Sequence, residues 1–340
     1  MPFALSLCMQ VPDIRPLVSL NEGARFHPAP VATLRADLGA DFDLYLGVKV
    51  PGGRKYVLYK SREYDLTRER RQYLIEQGFT TLYISEEDLH QYLGYVDRAV
   101  SKVLASEATP RSEKSEILYQ TTTSLMKCLF ERPDSPVVLH TNQKMVIHTV
   151  NCLASDPRML RSLVSMFVFD YSLYHHSVNV ATISVGLAFK MGYVAGSELN
   201  QLGYGFLFHD IGKSCLPTGL VRKPGALTPT EMVEMQGHPH QGALLMQNRE
   251  NMEPAALDII LHHHEKISGR GYPHNLSGSE VTMPMRISAV ADIFDALTSH
   301  RSYKAALTGF ETLKLMQEQM KYELDPDCIA ELIMLLGPSR

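Results

Sequence analysis

The sequence has no tryptophan and only five cysteines in 340 residues. Cys8, Cys128, Cys152, Cys215 and Cys328 stand far apart, with no CxxC pair. That spacing argues against a zinc finger or dithiol redox motif and fits free thiols in a reducing cytosol. No run approaches the ~20 apolar residues of a membrane-spanning helix. Met1 to Val11 lacks a charged start and a long apolar core, so no signal peptide is expected. A cytoplasmic protein without a membrane span is the expectation. Basic excess is missing too: the net charge is -4 and the pI about 6.4. A general binder of nucleic-acid polymers or anionic membranes would be basic.

What is present suggests two domains. The first ~110 residues read as a small α+β domain. Asp43–Val50 and Lys55–Lys60 are β-prone runs around a Pro51-Gly52-Gly53 turn, and Thr80–Ile84 is another strand. Thr67 to Gln77 is a charged helix closing at Gly78, and Ser85-Glu-Glu-Asp opens the next. Leu89–Ala105 and Glu116–Phe130 read as helices, and Pro133-Asp-Ser-Pro136 marks a break. Beyond residue 137 strand patterns nearly vanish. Helices are expected over Met145–Leu153, Met159–Val168, Asp170–Met191, Glu198–Phe208, Pro254–His264 and Pro284–Thr298, with two more at the C-terminus. Thr228-Pro-Thr-Glu231 is a capping box whose helix should run through His238 to about Gln247. The expected division is 1–110 as a regulatory or dimerisation domain, 111–150 as a helical connector and 151–340 as an all-α bundle.

Nine of the fourteen histidines fall between residues 170 and 275. That stretch is under a third of the chain, so the clustering points to ligation. His209-Asp210 ends an apolar helix. Adjacent helical residues point about 100° apart and can serve two ions, or one carboxylate can bridge both. A bridged two-ion site activates water for attack on phosphorus. Lys213, one turn after His209, could hold a phosphate oxygen. His263-His264 repeats the logic, with Glu265 placed to orient a ligand. Asp292 is an acid inside an apolar helix, where a buried carboxylate must be paired or metal-bound. Taken singly, a surface His–Asp couple, a satisfied core histidine or a polar helix face carrying Asp292 and Asp295 is the blander reading of each.

Together the motifs resemble a known family. His176, His209-Asp210-x-x-Lys213, His238-Pro239, His263-His264-Glu265, Gly269-x-Gly271-Tyr272-Pro273, Asp292-x-x-Asp295-Ala-Leu-Thr-Ser299 and Arg301-x-Tyr303-Lys304 are similar to the HD-GYP family. This family belongs to the HD superfamily of metal-dependent phosphohydrolases, and the resemblance spans roughly residues 165–335. It implies an HD-type helical bundle that hydrolyses cyclic di-GMP to linear pGpG, and often on to GMP, in bacterial second-messenger signalling. It implies metal ligands His176, His209, Asp210, His238, His263, His264 and Asp292, with Asp210 bridging. It implies catalytic roles for Asp210 and Lys213, and substrate contacts from Asp170, Lys213, Tyr272, Arg301 and Lys304. Iron or manganese is the implied metal. Diguanylate cyclases or other signalling proteins are the implied protein partners, and a homodimer the implied assembly.

The match also breaks in places. Ser172 stands where trinuclear members carry a glutamate, so two ions are expected rather than three. Ser268 replaces an aspartate and Ser302 a proline found in many members. These departures support an alternative, a cyclic di-GMP receptor or interaction module with little catalysis. A hydrolase for another nucleotide is a third reading, which the Gly-Tyr-Pro loop disfavours. His175 and His262 are extra beside the motif histidines, and His240 and His274 are expected at the surface or behind the ligands.

Overall fold

A computed structural model describes residues 24–51, 53–168, 172–300 and 306–337. The chain forms two compact units, residues 1–124 and 125–340.

The first unit is built on a four-stranded antiparallel sheet of order β1-β4-β2-β3. The strands are β1 (Phe26–Pro30), β2 (Leu44–Val50), β3 (Gly53–Lys60) and β4 (Thr81–Ser85). Strand β1 has no strong sequence signal, because Pro28 and Pro30 cannot donate to a ladder. Proline is tolerated at a sheet edge, and β1 is an edge strand. Helix α1 (Arg68–Glu76) is capped by Thr67, whose hydroxyl accepts the Arg70 amide, and the chain turns at Gly78 with φ of 76°. Ser85, expected to cap, makes no such bond, and a 3-10 turn leads into α2 (Leu89–Ala105) instead. Phe42 packs edge-on against Tyr92 and Tyr95 at 5.5 and 5.3 Å in this unit's core.

Helix α3 (Arg111–Glu131) spans the division between the units. The second unit holds α4 (Pro136–Ser155), α5 (Met159–Val164), α6 (Leu173–Lys190), α7 (Ser197–Phe208), α8 (Thr218–Val221) and α9 (Pro229–Met235). It continues with α10 (His238–Met246), α11 (Pro254–His262), α12 (Met283–Thr298), α13 (Gly309–Gln319) and α14 (Pro326–Leu336). Among its described residues there is no strand, only an isolated bridge between Ser268 and Ser277. The all-α bundle and the smaller α+β part are thus as expected from sequence.

Every residue of α6 from His176 to Ala188 is buried, so this helix is the axis of the second unit. Helices α7 and α12 pack on α6, while α4 and α11 pack on α7. A tight contact sets the distance between α10 and the 3-10 turn Ile211–Cys215. A Cβ on Gly212 would sit 1.9 Å from the His238 carbonyl oxygen, so only glycine fits.

One expected helix divides in two. The run from Thr228 to Gln247 breaks after Met235 into α9 and α10. Both halves of the Thr228 capping box form, Glu231 N to Thr228 Oγ1 at 3.3 Å and Thr228 N to Glu231 Oε2 at 2.7 Å. The break lies at Pro239, which has no N–H to give the Met235 carbonyl four residues back. His238 is therefore the first residue of α10 and not a mid-helix residue.

Candidate metal centre

The sequence places three histidines where helices end, and the helix ends orient them. The last carbonyls of a helix lack intrahelical partners. His209 follows α7 and donates Nδ1–H to the Phe206 carbonyl at 2.8 Å. His238 follows α9 and donates to the Met235 carbonyl at 2.7 Å, the one that Pro239 leaves open. His263 follows α11 and donates to the Ile260 carbonyl at 2.9 Å. A carbonyl oxygen only accepts, so each Nδ1 carries the proton and each Nε2 is a lone pair. His176 is set differently: its Nδ1 donates across to Asp295 Oδ2 on α12 at 2.7 Å. Asp295 is itself held by Asn179 Nδ2 at 2.8 Å and Ser299 Oγ at 3.3 Å.

These lone pairs converge in two groups. One comprises Asp210, His238, His263 and His264, the other His176, His209 and Asp292. Asp210 spans both. Its Oδ1 lies 3.1 Å from His238 Nε2 and 3.7 Å from His263 Nε2, while its Oδ2 lies 3.6 Å from both His176 and His209 Nε2. Asp292 also reaches both ways, with Oδ1 3.1 Å from His176 Nε2 and Oδ2 3.5 Å from His264 Nδ1. All seven residues expected as ligands therefore stand together.

The donor set fits cations. His176 and His209 Nε2 face each other at 3.3 Å, and His238 and His263 Nε2 at 3.2 Å. With the Nδ1 protons committed elsewhere, each approach sets lone pair against lone pair. Asp210 Oδ1 is buried with no hydrogen-bond partner. Only positive charge between these atoms relieves both conflicts. Neutral imidazoles with carboxylates form a site for a borderline divalent metal.

Electrostatics keep His209, Asp210, His263, His264 and Asp292 in their ligating forms. Burial pushes His209 and His263 below the ordinary histidine range, and His264, His209 and His238 add to the effect on His263. His264 is also pushed down by burial, against the pull of Asp292. For Asp210, burial favours the neutral acid, but Lys213, His209 and His238 outweigh it and hold the group well below the carboxylate range. Burial opposes ionisation of Asp292 as well, and His176 and His264 outweigh it.

Other candidates find different places. Lys213 is not on a continued helix with His209, since α7 stops at Phe208 and a 3-10 turn follows. That tighter turn carries Nζ to Asp210 Oδ2 at 2.6 Å. Among the described residues Glu265 bonds none of the seven expected ligands. Its buried carboxylate accepts from the amides of His274 at 2.6 Å and Leu276 at 3.0 Å, tying down the loop that carries Gly271-Tyr272-Pro273. Tyr272 rests against His264 with ring centres 4.6 Å apart, and burial beside Asp292 and Asp210 raises its pKa. Ser172 caps α6: its Oγ accepts the His175 amide at 3.2 Å and lies 2.7 Å from His175 Nδ1. His262 and His274 contact each other at 2.9 Å and join neither ligand group, and His240 is exposed. Asp170, Arg301, Ser302 and Lys304 lie outside the described residues. Asp295, in the family motif without a role of its own, holds the His176 ring from the helical face it shares with Asp292.

An HD domain family model matches residues 192–328. Over that stretch the C-terminal unit is similar to HD domains. Curated relatives agree. "Cyclic di-GMP phosphodiesterase PA4108" of Pseudomonas aeruginosa is 33% identical over 181 residues, 53% of this chain and 43% of the relative. "Cyclic di-GMP phosphodiesterase response regulator RpfG" of Xanthomonas campestris is 38% identical over 156 residues, 42% of this chain and 41% of the relative. "3'3'-cGAMP-specific phosphodiesterase 2" of Vibrio cholerae is 33% identical over 159 residues, 46% of this chain and 30% of the relative. The aligned part of this chain thus spans less than half the length of each. The fold also resembles that of Bd1817, a HDG"Y"P protein from Bdellovibrio bacteriovorus. The TM-score is 0.70 at 22% identity, covering 92% of this chain and all of that one. No helix among the described residues is long and apolar enough to cross a membrane.

Proposed function

We propose that this HD domain is a metal-dependent phosphodiesterase that hydrolyses cyclic di-GMP to pGpG or GMP. The observation that carries this is Asp210, whose two oxygens face two histidine groups while Lys213 sits on one of them. The relatives named for this reaction support it.

Asp210, His238, His263 and His264 would hold one ion, and His176, His209 and Asp292 the other, with Asp210 shared. Iron or manganese suits such histidine and carboxylate donors. The ions would supply Lewis acidity toward a phosphoryl oxygen and a nucleophilic water at neutral pH. Two ions are proposed rather than three, because Ser172 serves as a helix cap. The rest falls to side chains. Lys213 offers a cation beside the bridging carboxylate, where charge develops on the phosphate. Tyr272, fixed on His264, closes one wall. Asp295 keeps the His176 proton on Nδ1. Asp170, Arg301 and Lys304 are proposed as further substrate contacts, and the N-terminal α+β domain (1–110, with connector 111–150) as a regulatory or dimerising module. A homodimer, signalling-protein partners and a cytoplasmic location belong to the same reading.

Iron- or manganese-loaded protein, prepared anaerobically, should convert cyclic di-GMP to pGpG or GMP. Absence of product under reducing conditions sinks the proposal, and tight binding without turnover favours a receptor. A second substrate has its own support, since relatives named for 3'3'-cGAMP are about as similar to this chain as those named for cyclic di-GMP. Faster turnover of 3'3'-cGAMP would reassign the substrate and keep the chemistry.

A further inference from the structure

The N-terminal unit contains a cavity of about 500 Å³ whose walls include Arg35, Arg68 and Arg71 with Asp37, Gln72 and Glu113. That volume is in the range of small-molecule sites, ~300–1,000 Å³. Its acids are already engaged. Arg35 bonds Glu113 at 2.9 Å and Asp37 at 3.3 Å, and Lys102 holds Asp37 at 2.9 Å. Glu69, also on the wall, turns to its own backbone amide and the Thr67 hydroxyl.

Two cations lack a close partner, although Glu113 and Glu116 attract Arg71 from further off. Among the described residues, no acid forms an ion pair with Arg68 or Arg71. Arg71 Nε is buried with no hydrogen-bond partner. A buried guanidinium donor without an acceptor is costly and calls for an explanation. Both residues also sit in the first turn of α1, where Arg68, Arg70 and Arg71 outnumber the one acid of that turn, Glu69. The start of a helix carries partial positive charge, so stacked arginines there oppose the helix dipole. A phosphate bound at this point would satisfy the orphan N–H and offset the repulsion, and guanidinium forks match its oxygens. Among the described residues the wall has no aromatic ring on which a base could stack. Gln72 and the remaining lone pairs of Asp37 and Glu113 can accept from hydroxyl groups.

We propose that this cavity binds a small phosphorylated polyol, such as a sugar phosphate, with the phosphate on Arg68 and Arg71. This site is separate from the metal centre in chain and chemistry. Its test reads binding alone, so it can fail or succeed whatever the turnover of cyclic di-GMP. Calorimetry on the full chain would use ribose 5-phosphate, inorganic phosphate, ribose and GMP. Ribose 5-phosphate should bind, with ribose silent and inorganic phosphate at least tenfold weaker. Arg71→Met should lower that affinity at least tenfold, and Arg68→Gln should weaken it as well. Without ligand, Arg71→Met should keep or raise the melting temperature, because it removes an unsatisfied buried donor. No heat with ribose 5-phosphate overturns the site, as does unchanged binding by Arg71→Met. Inorganic phosphate binding as tightly as ribose 5-phosphate, or GMP binding more tightly, overturns the polyol assignment.

Discussion

Asp295→Asn replaces one oxygen by an amide and keeps the shape. In the native structure both carboxylate oxygens accept buried hydrogen bonds, from His176 Nδ1 at 2.7 Å and Asn179 Nδ2 at 2.8 Å. An asparagine has one oxygen, so one of these two donors must face an NH₂ group. If His176 loses, its proton moves to Nε2, and the lone pair aimed at His209 and Asp292 is gone. If Asn179 loses, an unsatisfied buried donor costs about 1–3 kcal/mol of stability. Removing the partner of a ligating histidine typically lowers metal affinity about 10–100-fold, or roughly 1.4–2.7 kcal/mol. We expect that loss in chelator-competition titrations of Asp295→Asn, with turnover partly restored by excess metal. A double-mutant cycle isolates the cause. In a His176→Ala background, Asp295→Asn should change metal affinity less than about twofold, since coupled residues are non-additive. Undiminished metal affinity in the single variant, or full additivity in the double, refutes the role.

Lys213→Met should lower kcat by about 10²–10³, the usual effect of removing a charge-stabilising group, while metal content measured by elemental analysis stays near that of the native protein. Gly212→Ala should fail to fold or melt far lower in thermal scans, because its Cβ would lie 1.9 Å from the His238 carbonyl oxygen. Metal-free protein should be acid-sensitive. His209, His263 and His264 have folded pKa values below the ordinary ~6.5, so below that pH the unfolded chain binds protons that the folded one refuses. Their stabilisation is present above ~6.5 and lost as pH falls, by about 1.4 kcal/mol per pH unit for one refused proton and up to about 4 for three. Urea midpoints that stay flat from pH 7 to 5 would contradict this.

Much of the site was legible because each ligand type has a local signature. The His209-Asp210 and His263-His264 pairs follow apolar helical runs, and helix ends are where open carbonyls orient imidazoles. Less was legible where the cause is tertiary. Asp295 reads as half of a polar helix face until α6 brings His176 against it. Glu265 reads as a partner of its histidine neighbours, but its bonds go to amides nine and eleven residues ahead. The continuous helix expected from Thr228 to Gln247 underrated Pro239. The resulting break serves the proposed site, because it frees the Met235 carbonyl that fixes His238. Strand β1 was hidden by Pro28 and Pro30, whose cost disappears at a sheet edge.

The most direct test couples elemental analysis of anaerobically prepared protein to a cyclic di-GMP turnover assay, on the native chain and on Asp210→Ala. Two ligand groups sharing one carboxylate predict about two ions per native chain. They also predict loss of turnover together with weakening of both sites in the variant. Three ions per active chain, or an Asp210→Ala variant that keeps its metal and its activity, would contradict the account.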